Sequence, residues 1–116
     1  MTKEKDELQI DQNRLVEAWQ RTLPTTMNKA DHAEVKADEA DAKALRIHIR
    51  TAGHTSYTFD FKVEYVDSRE VKVDFIDVEK AGISVSERTE PIQQLIEDYT
   101  RHLHECAQAL HELTHV

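Results

Sequence analysis

The sequence predicts an α+β fold of two layers, in which an antiparallel meander of three or four strands carries an N-terminal helix and a long C-terminal helix on one face. Apolar residues recur at helical spacing near the start of the chain and again near its end, and three central segments alternate strictly between apolar and polar residues. These observations give the order α-β-β-β-(β)-α. The 116 residues are enough for one core, and we predict a single domain over residues 1–116.

The first helix is predicted between Asp6 and Leu23. Its apolar stripe consists of Leu8, Leu15 and Trp19. Spacings of seven and four place these side chains on one face of a helix. Asp6 with Gln9 resembles a capping box, and Pro24 marks the predicted end.

Residues 25–44 are open to three interpretations. The alanines Ala30, Ala33, Ala37, Ala40 and Ala44 recur at spacings of three and four, which favours a weak helix. A mobile acidic loop is the second interpretation. The third is an edge strand, in which Ala33, Val35 and Ala37 share one face. We predict a weak helix or a loop here.

The three central segments are typical of strands that bury one face. The apolar positions are Leu45, Ile47 and Ile49 in the first, Tyr57, Phe59, Phe61, Val63 and Tyr65 in the second, and Val71, Val73 and Phe75 in the third. Gly53 suits the loop of the first hairpin, because it tolerates positive φ. After Phe75 the alternation changes phase, which predicts a bulge. Ile83 and Val85, just after Gly82, indicate a short further strand.

Strand register is predicted from charge and apolar matching together. The preferred pairs of the second hairpin are Val63 with Val73, Phe61 with Phe75, Glu64 with Lys72 and Lys62 with Asp74. This register joins opposite charges on the outer face, whereas a slip by two residues places Glu64 against Asp74. In the first hairpin the same test places Ile47 opposite Phe59 and Arg46 opposite Asp60.

The last helix is predicted from Thr89 onward, with Thr89 as the N-cap and Pro91 in the first turn. Its apolar positions are Ile92, Leu95, Ile96, Tyr99, Leu103, Cys106, Leu110 and Leu113. This arc is wide enough to cover the sheet and to meet the first helix. Cys106 lies on the arc, so we predict a buried structural thiol rather than a nucleophile.

Composition limits the functional classes. The net charge is −8, with acidic flanks around a balanced centre, and phosphate backbones repel such a surface. We therefore predict no nucleic-acid partner, although an acidic mimic of nucleic acid is one alternative function. No apolar run is long enough for a membrane span and the N-terminus lacks a signal-peptide pattern. With its single cysteine the chain is expected in the cytoplasm, without a membrane partner.

The string His111-Glu112-Leu113-Thr114-His115 resembles the signature of zincin metallopeptidases. That resemblance covers five residues and implies zinc held by His111 and His115, with Glu112 as the general base. The sequence ends one residue later, so a downstream third ligand is not expected. Helical geometry also directs both imidazoles away from the apolar arc, into solvent.

A milder metal site remains as an alternative, because His104, His111 and His115 would share one helix face. Imidazoles one turn apart can chelate zinc without a designed cavity. The competing interpretation is a solvated histidine face near the negative end of the helix dipole.

Function is predicted mainly by elimination. We expect a small, acidic, non-enzymatic protein that acts through protein–protein contacts of a regulatory or adaptor type. A homodimer formed through an exposed strand edge is one form of this hypothesis. We predict no catalytic residue and no bound cofactor, and the alternative is a divalent-metal-binding protein or zinc-dependent hydrolase.

Overall fold

The computed structural model describes residues 8–52 and 57–115. It confirms the α+β arrangement, in which two long helices and an antiparallel sheet form the predicted two layers. The helices are α1 (Gln12–Thr26), α2 (Glu90–Ala109) and the single turn α3 (His111–Thr114). The strands are β1 (His32–Ala37), β2 (Ala44–Arg50), β3 (Tyr57–Tyr65), β4 (Val71–Lys80) and β5 (Ile83–Ser84). Their order in the sheet follows the chain.

Helix α1 starts later and ends later than predicted. Asp11 is its N-cap, and the Asp11 carboxylate accepts a hydrogen bond from the Asn13 backbone N–H at 3.1 Å. Asp6, the predicted cap, lies outside the described residues. Pro24 does not end the helix, because burial of Leu23 and Met27 on either side of it offsets the hydrogen bond that proline removes.

Strand β1 corrects the preferred interpretation of residues 25–44. The edge strand was the right alternative, because Ala33 and Val35 are only 6% and 5% exposed and face the core. Alternating burial of small side chains outweighs the intrinsic helix propensity of alanine in this segment.

The register of β3 and β4 is the predicted one, with Val63 opposite Val73 and Phe61 opposite Phe75. The next pair along joins Asp60 to Asp77, so Ile76 is the extra residue of the predicted bulge. After the bulge, β4 turns tightly through Ala81 and Gly82, which have φ angles of 54° and 81°. This two-residue turn leads into the predicted short further strand, β5.

The predicted register of β2 against β3 is wrong by two residues. Ile47 faces Phe61 rather than Phe59, and His48 rather than Arg46 faces Asp60. The prediction chose Arg46 as the partner of Asp60 by charge. In the structure the partner is His48, with Nδ1 2.7 Å from Oδ1 of Asp60. Gly53, in the loop of this hairpin, lies outside the described residues.

The core lies between the sheet and the two long helices. Its largest side chain, Trp19, is fully buried and donates its indole N–H to the Tyr65 hydroxyl at 3.1 Å. Phe59 packs edge-on against Tyr99, with ring centroids 5.3 Å apart. Burial raises the pKa of Tyr65 to about 12. The predicted alternation is the alternation of core and surface in β2 and β3, whereas the apolar residues at the start of β4 are only half-buried.

Helix α2 begins after Thr89, as predicted, but it stops at Ala109. Leu110 leaves the helical conformation, and the chain resumes with the single turn α3. The helix that carries the predicted continuous arc is therefore interrupted at Leu110, before Leu113.

Candidate functional site

The segment that resembles the zincin signature is a structural clamp. The Thr114 hydroxyl is buried and donates to the backbone carbonyl of Ser68 at 3.0 Å. The Ser68 hydroxyl lies 2.7 Å from Nδ1 of His115. These contacts hold the turn between β3 and β4 against the end of α3. His115 is therefore half-buried and bonded, which corrects the expectation that it faces solvent.

The three predicted metal ligands do not form a coordination shell. The imidazoles of His111 and His115 have ring centroids 5.1 Å apart, whereas His104 lines a separate depression beside β4. Within residues 8–52 and 57–115, no three His, Cys, Asp or Glu side chains are grouped so as to hold a metal ion. The break at Leu110 explains this result, because it interrupts the helix that would have aligned the three histidines.

Cys106 is a buried thiol, as predicted. Its side chain has no exposed surface, and burial raises its pKa to about 12. The thiolate is the reactive form of cysteine, so this position has a packing role.

The outer face of the sheet carries charges of both signs. Arg46 bonds Asp38 with Nε to Oδ1 at 2.7 Å, and this hydrogen bond lowers the pKa of Asp38. His48 makes the pair with Asp60 that was described above. Arg46 and His48 of β2 thus each contact an acidic side chain on a neighbouring segment.

The two edges of the sheet differ in whether their backbone groups are hydrogen-bonded, and the edge formed by β1 is closed. The Asp38 N–H donates to the Ala44 carbonyl. Because hydrogen-bonded residues alternate along an antiparallel strand, the even-numbered residues of β1 bond β2 and the odd-numbered residues do not. Ala33 and Val35 therefore direct their backbone groups away from β2. The side chain of Gln20 meets both of them: its Nε2 donates to the Ala33 carbonyl at 3.0 Å, and its Oε1 accepts from the Val35 N–H at 2.8 Å.

Gln20 thus replaces a neighbouring strand at the centre of β1. A second glutamine, Gln12, donates through Nε2 to three backbone carbonyls around the turn between β1 and β2, at 3.0 to 3.1 Å. Neither glutamine stands out in the sequence, because a polar side chain on a helix surface carries no signature of the backbone that it will meet. Amide pairing of this kind prevents another chain from adding at the β1 edge.

The second edge, on β4, is open. Only Glu79 and Lys80 of β4 pair with β5, so among the described residues Val71–Ile76 has a strand neighbour on one side only. We call the segment Val71–Ile76 the open edge. Tyr65 donates to the Lys43 carbonyl, so the odd-numbered residues of β3 bond β2 and the even-numbered ones bond β4.

The even-numbered residues of β3 pair with Lys72 and Asp74. By alternation, Val71, Val73 and Phe75 direct their backbone N–H and C=O groups away from β3, toward the open edge. Their side chains lie on the helix-covered face and are only half-buried. The open edge therefore offers unpaired backbone groups together with apolar side chains.

A depression of about 410 Å³ lies beside the start of the open edge. Its walls are formed by Arg69, Glu70, Val71, His104, Ala107 and Gln108. The α2 residues of this set lie on the opposite side of that helix from His102, whose carbonyl accepts from Thr26 of α1. The depression therefore faces outward along the open edge.

Comparison with protein-family models, with curated proteins and with solved structures finds no match to this chain. In the described ranges, 8–52 and 57–115, no helix is both long enough and apolar enough to cross a bilayer. The fold and the edges of the sheet define the class: a small α+β domain with one edge sealed by a helix side chain and one edge open.

Proposed function

We propose that this protein is a small, acidic, non-enzymatic cytoplasmic protein that acts through protein–protein contacts, by accepting an extended strand at the open edge. The difference between the two sheet edges carries the proposal. Exposed strand edges promote unwanted pairing, and proteins protect them by several devices. This chain places the Gln20 amide against β1 and leaves β4 without such cover among the described residues.

The chemistry of the open edge defines what it would accept. Added strands gain affinity from main-chain hydrogen bonds and specificity from alternate side chains that enter pockets. Here the backbone groups of Val71, Val73 and Phe75 would supply the hydrogen bonds. The depression beside Val71 would receive one apolar side chain of the partner. The fitting partner is therefore an extended polypeptide with an apolar residue at alternate positions.

A proline at the open edge tests this proposal. Val73→Pro removes an outward N–H while the bonds from β4 to β3 stay in place, as proline permits at strand edges. Ala37→Pro is the matched control, because the backbone N–H of Ala37 also points away from the neighbouring strand, but at the closed edge. Affinity capture from extract of the source cell would compare these variants with the wild-type chain, after circular dichroism confirms that each is folded.

We expect the wild type and Ala37→Pro to retain a common partner that Val73→Pro loses. In the purified complex, amide hydrogen exchange should be slowed at Val71, Val73 and Phe75. A folded Val73→Pro variant that retains the same partner, with unchanged exchange at these amides, would refute strand addition at the open edge.

The metal-dependent hydrolase and the acidic nucleic-acid mimic stay predictions, since no specific contact in the structure favours either. The outer face mixes positive and negative side chains, whereas a mimic presents a continuous row of acids. Zinc titration of the untagged chain, compared with a His111→Ala/His115→Ala variant, tests the metal alternative directly.

A further inference from the structure

We propose that the occupant of the open edge is the β4 strand of a second copy of this chain, paired antiparallel about Val73. This inference rests on the proposed function and names its partner. A closed dimer has a two-fold axis, so its contact is self-complementary: if one residue faces a second across the axis, the second also faces the first. The β4 strand must therefore be complementary to its own copy in side-chain face and in charge.

Geometry restricts how β4 can pair with its own copy. Successive side chains alternate between the two faces of a sheet, and a continuous sheet keeps like faces together. A two-fold pairing must therefore be centred on one residue, which faces its counterpart. Centres at Val71 or Phe75 leave half of the edge unpaired, because β4 begins at Val71 and the bulge at Ile76 interrupts the strand.

Charge selects among the three remaining centres. A centre at Lys72 sets two ammonium groups opposite each other, and a centre at Asp74 sets two carboxylates opposite each other. A centre at Val73 instead places Lys72 opposite the partner's Asp74, and Asp74 opposite the partner's Lys72. Opposite charges across strands stabilise a pair and like charges destabilise it. Both side chains are exposed, at 64% and 45%, and within one chain they form an ion pair with Nζ 3.9 Å from Oδ2. Pairing about Val73 exchanges this contact for two ion pairs between the copies.

The apolar face agrees with the same centre. When Val73 faces its counterpart, Val71 lies opposite the partner's Phe75 on the helix-covered face. The outward depression of about 410 Å³ lies beside Val71, with Ala107 and His104 in its walls. The partner's Phe75 ring packs edge-on against Phe61 of its own subunit, with ring centroids 5.7 Å apart, and is only half-buried. The part of this ring that is still exposed would cover the depression, and the two-fold axis repeats the contact. Strand pairing alone is marginal in water, so this aromatic burial supplies the remaining stabilisation.

Two charge variants test this register. Lys72→Glu sets the introduced carboxylate against the partner's Asp74, and Asp74→Lys sets the introduced ammonium group against the partner's Lys72. Each variant alone should be repelled at both symmetric pairs. An equimolar mixture should form a heterodimer, because both pairs across the two-fold axis then join opposite charges. Within each subunit the introduced charge faces a like charge on β3, Glu64 or Lys62, and this is equally true of the variant alone and of the variant in the mixture. The mass in solution is measured by sedimentation at low salt, where exposed charges are least screened.

We expect the wild type to sediment as a dimer. Each variant alone should dimerise at least about tenfold more weakly, and the mixture should recover the wild-type dimer. Such recovery also shows that both variants are folded. A monomeric wild type, single variants that dimerise as the wild type does, or a mixture without recovery would each overturn the inference.

The two proposals fail in different ways. If the wild type is monomeric but Val73→Pro still loses a captured partner, the second copy is wrong and strand addition stands. If Val73→Pro loses nothing and its open-edge amides exchange as before, strand addition itself is wrong.

Discussion

The closed edge of the sheet gives the sharpest test of how this fold is stabilised. Gln20 makes two hydrogen bonds to strand β1, at 3.0 Å to the Ala33 carbonyl and at 2.8 Å from the Val35 N–H. Gln20→Ala removes both and leaves the backbone groups to water. A hydrogen bond contributes about 0.5–1.5 kcal/mol net, so the loss is about 1–3 kcal/mol.

Two effects reduce the expected loss of stability in Gln20→Ala. Alanine has a higher helix propensity than glutamine, which returns a few tenths of a kcal/mol. The edge is only partly buried, so water replaces some of the lost bonding. We expect the free energy of unfolding to fall by about 1–2 kcal/mol. With a urea slope of about 2 kcal/mol per M, the midpoint falls by about 0.5–1 M.

The assay is urea unfolding, followed by the fluorescence of Trp19, the single tryptophan. Gln94→Ala is the matched control, because Gln94 is an exposed glutamine of helix α2 whose amide donates to Asp98 of the same helix. Gln20→Glu is a second variant: its carboxylate still accepts from Val35 but faces the Ala33 carbonyl without a proton to donate. It should be at least as destabilised as Gln20→Ala. The exposed β1 edge should also increase self-association in Gln20→Ala.

Equal midpoints for Gln20→Ala and Gln94→Ala would refute the view that the Gln20 amide closes the edge. An unchanged midpoint for Gln20→Glu would contradict it independently, because the carboxylate cannot supply the donor that Ala33 requires at neutral pH.

Three further measurements test other parts of the structure. Thr114→Val removes the hydroxyl that donates to the buried Ser68 carbonyl, so the free energy of unfolding should fall by about 1–3 kcal/mol in urea; unchanged stability would mean that the clamp contributes nothing. Cys106 should react with a thiol reagent far more slowly in the native chain than in urea, since burial raises its pKa to about 12, and equal rates would contradict its burial. The hydrogen bond from Arg46 holds the pKa of Asp38 below 3.8, so this carboxylate stabilises the fold above about pH 4 and that contribution is lost as the pH falls. Asp38→Asn should make the urea midpoint decline less between about pH 5 and pH 2, and an unchanged decline would exclude this role.

Local periodicity was sufficient for most of the elements. The alternation from Tyr57 to Tyr65 identified a strand with the bounds that the structure has, and the phase change after Phe75 identified the bulge. The register of β3 against β4 followed from matching both faces at once. The register of the first hairpin was predicted wrongly because Arg46 and His48 are both candidate partners of Asp60, and charge matching alone does not choose between them.

The candidate site was much less accessible to prediction. The hypothesis of an exposed strand edge came from the meander, which must end in two edges. Which edge is closed depends on Gln20, which lies 13 residues before Ala33 and 15 residues before Val35 in the chain. The histidine segment was predicted as part of one continuous helix. The helix breaks at Leu110, and the uninterrupted apolar pattern of the sequence gives no sign of this break.

The sequence by itself determined the two long helices, the strands β2 to β4 and the side of those strands that faces the helices, because these properties depend on neighbours within a few positions of the chain. It did not determine β1, whose alanines also fit a helix. Tertiary structure alone decided that Gln20 seals β1 and that Thr114 and His115 clamp the turn at Ser68. It also decided that Val71–Ile76 of β4 has a strand neighbour on one side only within residues 8–52 and 57–115. Each of these contacts joins segments distant in the chain, and hydrogen bonds of this kind depend on docking geometry to within a few tenths of an ångström. Hydrophobic pattern specifies that the helices cover the sheet, but not which polar side chain meets which backbone group when they do.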